Sequence, residues 1–280
     1  SSQLTLNFTK KFNKKGHELV IEYQTEKSTE DESDYASNTN TFDQSSMTDE
    51  TQQRKLLQLD YVYPIDKNTQ FELGYRGNFS DLNTDYNVLD IRNNVTTINL
   101  NLSNIFVFSQ DVNAYYTQFG KKINKFSYLL GLRAETTNLQ FNQKTSQESN
   151  QKKYTNLFPT VNLSYEFSNY ENITLGYSRR IRRPRSWSLN PFQSITSLTF
   201  FRQGNPDLDP SYSNSYDLGY LKKIKKFTFS GSVYFQKETD VIQRITEETG
   251  EIVRVSENPI VDVPALRFTS INLSENTRTG

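Results

Sequence analysis

The stretch "LFPTVNLSYEFSNYENITLGYS", residues 157–178, decides the fold. Leu157, Val161, Leu163, Tyr165 and Phe167 share one parity, and Thr160, Asn162, Ser164 and Glu166 take the other. After the polar run "SNYEN" (168–172) the alternation resumes. Ile173, Leu175 and Tyr177 then oppose Thr174, Gly176 and Ser178. A period of two is the signature of a β-strand with one apolar face. Two such runs around a short polar segment form an antiparallel hairpin.

The same alternation extends outward in both directions. On one side "FSYLLGLRAET" sets Phe126, Tyr128, Leu130, Leu132 and Ala134 against Ser127, Gly131, Arg133 and Glu135. "FELGYRGNF", "LLQLDYVYP", "HELVIEYQ" and "QLTLNFTK" read the same way toward the N-terminus. On the other side so do "SYDLGYL" and "FTFSGSVYFQ". A further strand lies near "QDVNAYYTQF" (110–119), with its phase open. The reading gives about ten strands, and no helical periodicity.

Connections sort into two kinds. Short polar turns fall at 13–16, 65–68, 121–124, 168–172 and 222–226. Between them lie long segments at 28–52, 80–109, 137–152, 182–213 and 237–268, read as loops. Short and long alternate without exception. The expectation is an all-β, antiparallel up-and-down transmembrane β-barrel region over 1–280, with tight turns at one end and long loops at the other. Strands of about 9–11 residues suit a tilted bilayer crossing. One face is Ser, Thr, Asn, Gly and Gln with scattered charges, which suits a lumen. The other is aromatic-rich near strand ends, as a membrane girdle is. A soluble or surface-attached β-sandwich that binds carbohydrate or protein is the alternative, because its strands also alternate.

Composition narrows the chemistry. Lys+Arg and Asp+Glu both total 32 in 280 residues, so no net positive field draws nucleic acid. With no cysteine, disulfide frameworks, Cys-based zinc sites and Cys nucleophiles are excluded. His17 is the single histidine and sits beside a predicted turn, which leaves a barrel hydrolase without a usable dyad. No Gly-rich phosphate loop, zinc-protease motif or nucleophile elbow occurs. The segment 81–92 resembles a calcium loop only at Asp81, Asn83 and Asp85. It has Tyr86 where glycine is needed and Arg92 where glutamate is needed. "TEDESD" (29–34) reads as a solvated acidic loop tip. No catalytic, metal or cofactor residue is expected. The mean hydropathy of −0.75 decides little, because a strict alternation averages out.

Five arginines crowd residues 179–185 in "YSRRIRRPRSWSLNPF". By parity Arg180 and Arg182 face the lumen, while Arg179 falls in the lipid-facing phase with Leu175 and Tyr177. An arginine costs about 2–4 kcal/mol at the bilayer midplane and about 0–1 near the interface. Arg179 therefore sits at the headgroups, or a bulge turns it inward. Pro184 ends the strand. Arg183 and Arg185 open the loop, where lipopolysaccharide phosphates or lumenal carboxylates would pair with them. "FRQGNPDLDPSYSN" reads first as a rigid turn feeding the next strand. Its functional reading is a ligand-contacting wall. Trp187, Asn190, Arg202, Asn205 and Asp207 are the candidate contacts of this loop.

"YTNLFPTVNLSYEF", "NITLGYSRRIRRPRSWSLNPF" and "FRQGNPDLDPSYSNSYDLGY", together spanning 154–220, resemble the barrel of TonB-dependent outer-membrane receptors of the Bacteroidetes type. The residues that carry the resemblance are Tyr177–Arg180, Arg183–Pro184, Leu189–Phe192, Gly204–Pro210 and Ser215–Tyr220. The strand with Gly131, Leu132, Arg133 and Glu135 adds to it. The resemblance implies energy-coupled uptake of a scarce ligand across a Gram-negative outer membrane. It also implies that this chain is a middle piece of a larger barrel whose plug domain and remaining strands lie elsewhere, or a truncated relative of that family. Implied partners are outer-membrane lipid and lipopolysaccharide, the plug domain of the same parent chain, TonB through that plug, and a surface lipoprotein. Arg133 and Glu135 would touch the plug from the wall. An open piece alone would expose two strand edges to lipid, which is costly.

Overall fold

The computed structural model describes residues 1–37, 43–92, 95–197, 199–257 and 260–279. Eleven strands run up and down in sequence order: β1 (Ser2–Lys11), β2 (Glu18–Ser37), β3 (Asp43–Asp66), β4 (Thr69–Arg92), β6 (Asn104–Ile123), β7 (Phe126–Gln143), β8 (Glu148–Ser168), β9 (Glu171–Arg182), β12 (Ser211–Ile224), β13 (Phe227–Glu257) and β14 (Ile260–Thr279). Short β5 (Val95–Ile98) pairs with β4. β10 (Gln193–Ser197) and β11 (Phe200–Gln203) belong to the β9–β12 connection, as does a single helical turn, α1 (Ser186–Leu189). All fourteen strands form one sheet. The sandwich alternative is thereby overturned, since a sandwich needs two sheets packed face to face. The expected ten strands become eleven in the wall, because the final segment supplies β14.

The face assignments hold because register propagates them. Leu130 pairs with both Phe119 and Val161, and Leu175 pairs with both Leu163 and Leu218. Directly paired residues point to the same side of a sheet, so one parity choice fixes a whole belt. That belt is exposed. Leu73, Leu130, Leu132, Leu157, Leu175, Leu218 and Phe229 all lie open to the surroundings. The wall is thus apolar outside and polar inside, the reverse of a water-soluble fold. β6, whose phase the sequence leaves open, puts its even-numbered residues inward: Phe106, Phe108, Val112 and Ala114 are buried, while Tyr115 is exposed.

At one end the predicted turns are tight. Asn124–Lys125, Asn169–Tyr170 and Lys225–Lys226 each join two strands, and Asn124 and Lys225 adopt φ of 53°. Aromatic pairs ring this end, including Phe126–Tyr128, Tyr165–Phe167 and Tyr220–Phe229.

The other end departs from expectation. Most of the "long loops" are strand. β2 and β3 stay paired out to Ser37↔Asp43, so the acidic run 29–34 lies in a strand and not at a tip. β13 and β14 pair to Glu257↔Ile260. Segment 137–152 is a hairpin whose turn is held by Gln143: its Oε1 accepts from the amides of Thr145 and Ser146 at 2.6 and 2.9 Å. In the β2–β3 hairpin the apolar alternation gives way to largely polar residues on both faces. Beyond Leu57 the outward face of β3 carries Lys55, Gln53 and Thr51, as expected of a sheet that has left the hydrocarbon for water. Among the described residues, the β9–β12 connection is the long segment that stays chiefly a folded loop, with α1, β10 and β11 within it.

Candidate site: the barrel mouth and its inner loop

The loop between β9 and β12 folds into the lumen. Two segments of it lie back to back. The Gly204 amide donates to the Asn190 carbonyl at 2.8 Å, and the Asn205 amide donates to the Ser188 carbonyl at 2.7 Å. A Cβ on residue 204 would meet backbone atoms of Asn190 and Ser188 at 2.5–2.8 Å, so the close approach requires glycine. Asn190 Oδ1 accepts from the Phe192 amide, and Asn205 Oδ1 from the Asp207 amide. Asn190, Asn205 and Asp207 therefore act first as turn residues.

Apolar contacts seat the loop. Leu189 and Leu208 are each 1% exposed and join Leu82, Phe106, Phe108, Leu139 and Phe141 in one buried cluster. These last five occupy lumenal parity positions near the mouth, where a lumen would ordinarily be polar; the loop is what covers them. Polar clamps complete the seat. Lys152 donates to the carbonyls of Asp207 and Leu208, both at 2.9 Å, and pairs with Asp209 at 3.0 Å. Asn272 of β14 holds the Asp209 backbone on both sides, and Asn205 reaches the Ser270 carbonyl.

Below the loop lies a charged network. Glu135 pairs with Arg133 at 2.6 Å and with Arg183 at 2.5 Å, and Arg183 also donates to the Thr137 hydroxyl at 2.9 Å. The Glu135 side chain is only 9% exposed. Arg133 stacks over Tyr116, whose hydroxyl donates to Asp60. The chain of contacts thus crosses β3, β6, β7 and the start of the loop. Arg183 joins the network from outside the candidate contacts that the sequence reading names. Its pairing with a lumenal carboxylate is one of the two options its sequence position offers, but 48 residues separate it from Glu135.

Arg180 and Arg182 take the expected inward phase opposite Ser213 and Ser211, and neither lines the mouth cavity. Arg179 is resolved by register. β9 and β12 pair without a shift from Glu171↔Lys222 to Arg182↔Ser211, so no bulge turns it inward. Its guanidinium lies 5.1 Å from the Tyr212 ring, beside Asn214, which accepts the Tyr177 hydroxyl. The β8–β9 ladder ends at Thr160↔Ser178, just before Pro159, which lacks a donor. Arg179 thus sits outward at the upper aromatic layer, above the apolar belt.

Above the loop is a cavity of about 710 Å³. Trp187, Asn190 and Arg202 line one side, and Glu32, Asp34 and Glu50 line the other. The indole of Trp187 has Arg202 at 5.3 Å and Arg244 at 4.6 Å, within cation–π range. Burial pushes the Glu50 carboxyl up, against the bond from Thr84, and the Glu30 charge adds to the rise. Among the described residues no group of three His, Asp or Glu side chains is placed to hold a metal ion. Of the nine candidates, the structure brings Trp187, Asn190 and Arg202 to this cavity and Arg133 and Glu135 to the network beneath.

The outer membrane protein beta-barrel family matches residues 10–280. The chain belongs to that family. Its members are outer-membrane barrels, and the outward apolar belt fits that placement. Among solved structures, it is similar to the copper transporter OprC at 12% identity and a TM-score of 0.68, covering 99% of this chain and 42% of that one. It resembles the ferric citrate transporter FecA in the unliganded form at 11% identity and a TM-score of 0.57, covering 85% and 34%. It also resembles the ferric yersiniabactin uptake receptor FyuA from Yersinia pestis at 10% and 0.53, covering 85% and 36%. These identities establish a shared fold. The chain spans between about a third and under a half of the length of these neighbours. No curated protein matches it significantly.

Proposed function

We propose that this chain is the wall of a TonB-dependent uptake receptor, with the plug and the TonB-contacting segment supplied by the rest of its parent chain. The observation that carries the reading is the family's barrel wall combined with a loop folded across its lumen. That loop narrows the mouth and leaves a cavity of about 710 Å³ on its outer side, the size of a small-molecule site. Transporters of iron complexes and of copper share the fold, which supports import over catalysis.

In this reading Trp187, Arg202 and the acidic wall meet ligand at the mouth. Arg133, Glu135 and Arg183 fasten the loop. Arg180 and Arg182 face the plug. Lipopolysaccharide packs near Arg179 and Tyr212, and a surface lipoprotein would cap the long hairpins. The test is to express the complete reading frame and fractionate the cells. The expected result is a heat-modifiable species in detergent-extracted outer membrane that binds the periplasmic domain of TonB. A detergent-free monodisperse monomer would sink the barrel, and a barrel that ignores TonB would sink the coupling.

A further inference from the structure

We propose that the mouth cavity takes an organic ammonium ligand: a small molecule presenting protonated amines flanked by hydrogen-bond donors. This rests on the receptor reading and names the chemistry of its cargo.

Among the described residues, three carboxylates line the cavity, those of Glu32, Asp34 and Glu50, against the lining cation Arg202, with Arg244 set against the Trp187 indole beside it. Arg202 is already placed against the Trp187 indole. Glu30 lies directly opposite Glu50 on the same inward face and deepens the negative field. A second observation is independent of charge. Asn104 lines the same cavity and is 4% exposed, yet its Oδ1 has no hydrogen-bond partner. A buried acceptor left unpaired is costly; a half-turn of the Asn104 side-chain amide would present that oxygen to the cavity, where a donor-bearing ligand would relieve it.

The carboxylates are strung along β2 and β3, and they do not converge. No described trio is close enough for a metal ion. That spacing suits an extended organic cation rather than a point charge. Anionic chelates would meet repulsion from the same wall. Amines on a chain or a sugar ring fit the carboxylates singly, with neighbouring N–H or O–H groups directed to acceptors such as Asn104.

The experiment uses the receptor as its own cells make it, purified in detergent. Tri-lysine and a glucosamine trimer are each titrated by calorimetry beside their fully N-acetylated forms, which keep the size and lose the charge. The expected result is at least tenfold tighter binding of the charged forms. That preference should disappear in the Glu32→Gln, Glu50→Gln double variant, checked for unchanged heat-modifiable mobility. Equal or tighter binding of the acetylated forms overturns the proposal. So does failure of both charged probes to bind, or a charge preference that survives in the double variant. Membrane fractionation and TonB binding report on the receptor reading without reference to ligand charge, so the two failures are distinguishable.

Discussion

Glu135 is the residue on which the inner loop turns. Its carboxylate meets two guanidiniums at 2.5–2.6 Å, and one of them, Arg183, is the first residue of the loop. Removing one partner of a buried ion pair leaves the other desolvated and uncompensated. Glu135→Gln should therefore cost about 3 kcal/mol and release the loop's entry. Limited trypsin digestion of the intact barrel checks this, with new cleavage expected after Arg182 or Arg185, because Pro184 blocks the bond after Arg183. Parity alone places Glu135 in the lumen. Nothing in parity says that Arg183, after the strand-ending Pro184 region begins, swings back to it. The two are distant in sequence, and an ion pair leaves no local pattern.

At the scale of elements, the short turns are the most legible part of the sequence. Polar pairs between two alternating runs leave the chain no room for anything but a tight hairpin. Asn124 suits its left-handed conformation, since its side chain tolerates that region. Lys225 occupies the same conformation without that advantage. Lys225→Gly should stabilise the β12–β13 hairpin by about 1 kcal/mol, read as a higher temperature for the heat-dependent mobility shift. At the opposite end, element lengths were hidden. Residues such as Thr29, Glu30 and Asp31 are polar on both faces, so the apolar period that marks a strand is lost even though the ladder continues. The backbone keeps pairing because β3 offers a continuous partner out to Asp43. Propensity and pattern are blind to that partner.

Across the whole molecule, the outward belt predicts how substitutions divide. Leu130 stands midway between Phe126 and Ala134 on the exposed apolar face. Leu130→Arg should cost about 2–4 kcal/mol, the penalty for arginine at the bilayer midplane. Thr160→Arg, one strand away on the inward face, should cost far less. Urea unfolding in lipid vesicles compares the two, and equal penalties would contradict the assigned faces. Except along β6 and at Arg179, the sequence by itself determined which residues face lipid, where the tight turns fall and which end they share. Each of those follows from a period of two and from turn chemistry, which act over a few neighbouring residues. Only the tertiary structure decided how far the hairpins climb and that the arginine-rich loop folds inward. It alone brings Leu189 and Leu208 onto Phe106 and Phe141, and sets Glu32 and Glu50 across a cavity from Arg202. Those outcomes depend on surfaces meeting across the lumen from strands far apart in the chain, and packing of that kind has no period for a sequence to display.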